Sequence, residues 1–452
     1  MGNETELLAR FVRDFSWDQL DEKTRSMVRY CILDTIGSAL GAAGSSEIQA
    51  VLATWQQWSG LGSNGLSASV WGQSCSENLL TAVWVNGMMS HELELDDVHT
   101  GSKSHVGAVV IPAAWAVAEA LGATGRELAE AVVVGYEVMG RVGMGMDVAS
   151  NRKRGWHTTG IIGTFGAAAA AARLLRLTVP QIVSAFGMAG TQSSGLWAFL
   201  AEGATCKKLH PARAAVNGVC AALLAQSGMT GPAHILDAAD GGLYAAVSDS
   251  FDMNRVVSGL GKEFVIAKMD KKPYPCCRTT HHAIDAALQL QEQKLFRPED
   301  IETVLVETYE VGVLQCGFAK YPASPVEAKF SIAFTCAAAF VYGRVTRAEF
   351  CQAVLDNPLV ERIARATRVV SDPMFTQRYP KRWGSRMTVT TADGRSYVCQ
   401  IDDMSGSVAV PLSAKQEQNK FCGLAEPLLG GDTPLLMERL LRVDRLESLP
   451  KL

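Results

Sequence analysis

The sequence predicts a mainly α protein: a large all-α helical domain carrying a smaller, inserted α+β domain of split βαβ type. Three observations carry this. Strand patterns are nearly absent before residue 260, where apolar residues instead recur at helical spacing. The clearest period-two alternation, Ile301 to Tyr309, comes only after residue 300, and an Asp393-Gly394 turn joins two further strand-like runs. Helical sequence returns near the end, at 433–443. The expected division is residues 1–263 with 403–452 as the helical domain and 264–402 as the α/β domain, a lid on the helical body.

Taken in order, 5–15 and 22–42 read as helices. The second has an apolar stripe of Met27, Val28, Cys31, Ile32, Thr35, Ile36 and Leu40, with Asp18 or Asp21 as its cap. A shorter helix, 46–58, precedes a loop at Gly60–Gly65, and another helix begins near Ser76. Helices follow at 108–121, 125–145, 159–176, 179–188, 211–228 and around 233–237. The run Thr158 to Leu175 is mostly Gly and Ala, which release little transfer energy into hydrocarbon, so it reads as a close-packed interior helix and not a membrane span. Glu263 to Lys268 reads as a strand, Thr280 to Lys294 as a helix, and helical sequence recurs at 325–342, 347–355 and 358–364. Arg368 to Val370, Ser385 to Thr391 and Arg395 to Gln400 complete the strands.

Composition excludes several function classes. A formal net charge of -4 recruits no nucleic acid. Eleven cysteines without pairing spacing suit a reducing compartment, and the acidic start carries no apolar signal core, so a cytoplasmic location is expected. Ala- and Gly-rich helices with 19% charged residues point to a homodimer packed through the helical domain. No Rossmann or P-loop pattern is found, so no nucleotide cofactor is expected, and no Gly-x-Ser-x-Gly elbow is present. Cys276-Cys277 with His281 and His282 lacks the spacing of a metal site, and no metal is expected.

Chemistry concentrates in His91 to Gly107, which holds three of the eight histidines and four carboxylates. Its flanks are apolar helical sequence, so it is either a solvated loop or the wall of a cleft. Continued as helix, it sets His91, Glu94 and Asp97 at i, i+3 and i+6, and a turn at Thr100-Gly101-Ser102 brings His105 back. Carboxylates beside imidazoles are the parts of an acid/base site; Asp96, Asp97, His99 and His105 are read as site residues and Ser104 as a helix cap. Three further stretches, around His157, His210 and His281, are basic and free of acids, which suits a small polycarboxylate if they converge. Arg152 to Arg154 reads as a solvated helix end. One of Lys207 and Lys208 is expected to point inward.

Several blocks in order resemble the MmgE/PrpD family: Asn86-Gly87, His91, Glu94-Leu95-Asp96-Asp97, His105-Val106-Gly107 running to Ile111-Pro112-Ala113-Ala114, Gly135-Tyr136-Glu137-Val138, Trp156 to Gly160, Gly203 to His210, Gly228 to Pro232, Lys272 to Arg278 and Glu327 to Ser331. That family includes 2-methylcitrate dehydratase, cis-aconitate decarboxylase and iminodisuccinate epimerase. The resemblance implies a helical domain plus a smaller α/β lid, a cofactor-free active site between them, and usually a homodimer. It places catalytic roles on Asp96 or Asp97, His105, His157, Lys207 and Lys272. His99, Lys208, His210, Tyr274, Cys277 and Arg278 are the accompanying substrate-binding candidates. Cys277 stands where the decarboxylase branch has a histidine, and Val106 where proline is common.

The expected reaction is a cofactor-free dehydration of a small di- or tricarboxylate. His157 or Asp97 would remove a proton next to a carboxylate, His105 would protonate the leaving hydroxyl, and Lys207, Lys272 and Arg278 would hold carboxylates. Base and acid can exchange in this scheme. Epimerisation is the alternative, decarboxylation ranks third because of Cys277, and a helical dimeric binding protein is the reading outside enzymes.

Overall fold

The computed structural model describes residues 4–58 and 65–452; the expected loop at Gly60–Gly65 lies almost wholly outside them. The chain forms two compact units: residues 1–197, 206–269 and 413–452 make the first, and 198–205 with 270–412 the second. The divide falls at 269/270 and 412/413, not at 263/264 and 402/403. The reason is burial: Phe264, Val265, Ile266 and Met269 belong to the core of the first unit.

The first unit is helical around one central element, Thr158–Leu174, which is buried on every face from Thr158 to Ala172. It packs on the helices Gly107–Leu121, Gly125–Gly145, Val179–Gly190 and Leu209–Gln226. Small residues permit this. A Cβ at Gly218 would lie 2.5 Å from the Ala167 side chain and from the Thr164 carbonyl, so the helices approach to backbone distance there. No helix among the described residues is long and apolar enough to cross a membrane.

Caps fall where side-chain chemistry places them. Asp21 accepts from the Thr24 N–H at 2.8 Å to start Glu22–Ala42, and Thr124 with Glu127 forms a reciprocal box at the start of Gly125–Gly145. Ser104 is not a cap: the Gly107–Leu121 helix starts after Val106, and the Ser104 hydroxyl pairs with that of Ser102 at 2.7 Å.

The second unit holds a mixed four-stranded sheet in the order Thr367–Ser371, Ile301–Thr308, Ser385–Thr391, Ser396–Ile401. The first pair is parallel and the other two antiparallel. The helix His281–Glu292 packs on the hairpin strands and on Ile332–Tyr342. The chain is thus a mainly helical N-terminal portion followed by a portion built on a mixed sheet.

Four element expectations need correction. Glu263–Lys268 is not a strand; Val265–Lys268 winds into a 3₁₀ turn that buries Val265 and Ile266. Residues 325–342 are two helices, because Ser331 caps a new one by accepting from the Phe334 N–H. Residues 233–237 are turns, and 347–355 divides into Arg347–Glu349 and Gln352–Leu355.

Candidate active site

The His91–Gly107 stretch is a loop held against helix starts. The helix Leu79–Glu92 ends before Glu94, whose φ is 56°, so the helical i, i+3, i+6 alignment of His91, Glu94 and Asp97 does not form. Beyond it, His99 and Ser104 pair backbone to backbone around the Thr100–Lys103 turn, where Lys103 also takes a positive φ of 51°. This reversal returns the chain to His105, whose N–H donates to Thr159 Oγ1 at 3.1 Å.

His157 immediately precedes the central helix, and its N–H donates to the Gly195 carbonyl at 3.0 Å. Lys207 lies in the 3₁₀ turn that leads into Leu209–Gln226, and His210 in the first turn of that helix. Helix starts at Gly107, Thr158 and Leu209 therefore supply the cluster. Their N–H groups carry partial positive charge, which favours an anion nearby.

The side chains meet as follows. Asp96, fully buried, accepts from His91 Nδ1 at 2.9 Å, and His105 Nδ1 lies 3.0 Å from the same oxygen. The His91 and His105 rings stand edge to face at 4.5 Å, and the His157 ring is 6.3 Å from His105. His157 and His210 share a hydrogen bond between their Nδ1 atoms at 2.8 Å, so one ring donates and the other accepts. Lys207 Nζ donates to Glu94 Oε1 at 2.5 Å, and that oxygen is 3.4 Å from His91 Nε2. Trp197 closes one side: its ring is 5.1 Å from His157, and the Arg152 guanidinium lies 4.4 Å above it.

Burial sets the proton affinities. It is the largest cause holding His157 well below the usual imidazole value, and the nearness of His210 and Lys207 adds to it. His210 is lowered to about 4 by burial and by Lys207. Both are neutral near pH 7, and a neutral imidazole is a base.

Not every expected residue joins the cluster. Asp97 accepts instead from the Gly107 N–H at 2.8 Å, at the start of that helix, and from the Tyr136 hydroxyl at 2.7 Å. His99 is fixed inside the turn, Nδ1 to Ser102 Oγ at 2.8 Å, and burial lowers it to about 4. Both lysines are buried, but Lys208 pairs with Glu47 and Glu92. Arg152 is buried as well, contrary to a solvated helix end, while Arg154 pairs with Asp249. Reasoning from sequence missed Glu94 and Trp197 as site residues, and His91 with them, although His91 opens the stretch singled out. Glu94 had a signal, since it lies inside the acidic run; Trp197 had none.

The remaining candidates form a second group within the second unit. Lys272 is fully buried. Tyr274 donates to Asp285 at 2.6 Å, Gln315 Nε2 lies 3.1 Å from Cys277 Sγ, and Arg278 donates to His281 Nδ1 and to the Ser405 carbonyl, each at 3.0 Å. Burial, then Arg278 and Lys272, hold His281 well below the usual imidazole value.

His91, Asp96 and His105 present ligand atoms within 4.8 Å of one another and are the residues that could hold a metal ion. Ligands about 2.0–2.1 Å from a tetrahedral zinc stand roughly 3.3 Å apart. Nδ1 of His91 is only 2.9 Å from Asp96, so the spacing fits a shared proton better. Two cavities in the first unit, about 340 and 370 Å³, lie elsewhere, beside Arg13, Glu130 and Arg173 and beside Trp55, Trp84 and Arg213.

Four imidazoles, two carboxylates and an ammonium group thus lie buried together within the helical unit, and they are the parts of an acid–base site. Residues 6–256 match the MmgE/PrpD N-terminal domain and 274–440 the MmgE/PrpD C-terminal domain; the chain belongs to the MmgE/PrpD family. It is 27% identical to the cis-aconitate decarboxylase of Mus musculus, over 98% of this chain and 91% of the relative. The cis-aconitate decarboxylase of Homo sapiens is also 27% identical, over 95% of this chain and 89% of the relative. The 2-methylcitrate dehydratase of Salmonella typhimurium is 24% identical, over 81% and 78%.

Proposed function

We propose that this chain is a cofactor-free lyase that transfers protons at the carbon next to a carboxylate of a small tricarboxylate. The observation that carries the reading is the buried cluster itself, with a neutral His157 on one side and the Asp96-backed His105 on the other. In a dehydration, His157 takes the proton. Its electron pair forms the alkene and expels the β-hydroxyl, which leaves as water with a proton from His105. Lys207 offsets charge on the enolate-like intermediate, and Lys272 and Arg278 are proposed to bind substrate carboxylates. Asp97 has no part in this scheme.

The second reading is decarboxylation, favoured because the cis-aconitate decarboxylases of Mus musculus and Homo sapiens are 27% identical over 98% and 95% of the chain, against 24% over 81% for the 2-methylcitrate dehydratase of Salmonella typhimurium. There the carbon–carbon bond breaks, carbon dioxide leaves, and the electron pair takes a proton from the same acid. Cys277, at the position of a histidine in the decarboxylase branch, counts against it. The test is incubation of chelator-treated protein with cis-aconitate, 2-methylcitrate and related acids in deuterated water, followed by proton NMR. Alkene signals with release of water assign dehydration, carbon dioxide assigns decarboxylation, and exchange without conversion assigns epimerisation. No exchange with any acid, or activity abolished by chelation and restored by a divalent ion, refutes the proposal.

A further inference from the structure

Glu94 is the one buried residue of the cluster held in a strained backbone conformation. Its φ of 56° lies in the left-handed region, which a residue with a long side chain adopts only at a steric cost. Asn, Asp or Gly takes that conformation more easily, so turn chemistry alone does not call for glutamate here. The side chain reaches two groups that shorter ones would not. Its Oε1 accepts from Lys207 Nζ at 2.5 Å and lies 3.4 Å from His91 Nε2. His91 in turn holds Asp96, the carboxylate beside His105. Glu94 is 5% exposed and Lys207 6%, so the pair is shielded from solvent and sensitive to loss of either charge.

We infer that Glu94 is a positioning residue: it fixes the Lys207 ammonium group and steadies the His91–Asp96–His105 chain, and its left-handed backbone is the local strain that this placement requires. The inference rests on the lyase reading above. It adds a residue that never touches the reacting atoms.

The test is a double-mutant cycle in the full chain, Glu94→Gln, Lys207→Gln and both together. It is read as kcat and KM in the isotope-exchange assay, with melting temperatures as a control. If Glu94 acts through Lys207, Lys207→Gln lowers kcat about 100-fold and Glu94→Gln about 10-fold or more. KM for Glu94→Gln stays within about threefold, and the double variant is within about threefold of Lys207→Gln alone. Glu94→Asn, which suits the backbone but falls short of Lys207, should lose at least as much kcat as Glu94→Gln. Additive losses, a Glu94→Gln variant as active as wild type, or a kcat loss explained by a smaller folded fraction would overturn the inference. An unaffected Lys207→Gln would instead remove Lys207 from the lyase reading, so the two failures are distinguishable.

Discussion

Neighbouring aspartates with opposite duties show what single residues reveal. Asp96 and Asp97 are indistinguishable in sequence, and the sequence pattern marks both as site residues. The backbone after Glu94 brings one to the imidazoles and the other to the Gly107 N–H and the Tyr136 hydroxyl. Long-range contacts decided this, and no spacing encodes them. Asp97→Ala should therefore destabilise the fold by roughly 2–4 kcal/mol, since a helix N–H and a phenol lose their acceptor in a buried place. Asp96→Asn should keep the melting temperature closer to wild type and lower kcat roughly 100-fold or more. Equal thermal losses, or a fully active Asp96→Asn, would contradict the division. Lys272, expected to hold a substrate carboxylate, is fully buried. If it binds a substrate carboxylate, Lys272→Met lowers kcat/KM about 10- to 150-fold, equivalent to roughly 1.5–3 kcal/mol. Its burial adds a stability loss that the sequence did not suggest. Kinetics normalised to folded protein separate the two, and unchanged kcat/KM would make Lys272 purely structural.

Elements with a strong period were legible, and those fixed by tertiary contacts were not. The helices at 22–42 and 125–145 and the strand at 301–308 follow their patterns closely. The helix Ala414–Leu429 went unread because it buries only Phe421, Leu424 and Ala425 and carries Pro427 near its end. Its partner surface explains it: the Phe421 ring seats against Gly37, and Lys420 Nζ donates to Asp34 at 2.6 Å and to the Leu95 carbonyl at 2.7 Å. That lysine ties a C-terminal helix to the residue just before Asp96. Lys420→Met should cost roughly 3 kcal/mol by leaving Asp34 buried without this partner. Adding Asp34→Leu should return much of the stability, because a well-packed apolar pair replaces an ion pair at little cost. Activity should stay reduced in both, since the Leu95 tether is still missing. Recovery of full kcat in the double variant would show that the tether has no bearing on the site.

Across the whole molecule, the buried histidines tie stability to pH. The sequence made their clustering visible, seven of eight in four short stretches, but not their burial, which depends on how helices such as Thr158–Leu174 pack. His99 and His210 are both lowered to about 4, by burial first, from an ordinary value near 6.5, and burial also holds His157 and His281 well below that ordinary value. The unfolded chain therefore binds these protons at higher pH than the folded chain does. Their contribution is fully present above about pH 6.5, falls as the pH drops through the interval towards 4, and levels off once the folded groups also protonate. Glu137 and Asp285, whose carboxyls burial pushes up, act in the opposite direction. An ordinary carboxylate titrates near 4, so between pH 6.5 and 5 the ordinary carboxylates stay charged, and a variant of a single histidine separates its share from that of the raised carboxyls. His99 is the cleanest probe, being buried, held by Ser102 and outside the proposed chemistry. At pH 5.5 it should account for about 1 kcal/mol of lost stability, one pH unit below its unfolded value. His99→Gln cannot titrate, so its melting temperature should fall less between pH 7.5 and pH 5.5 than that of wild type, even if it starts lower. Parallel melting curves for the two proteins across that interval would show that His99 does not enter the balance.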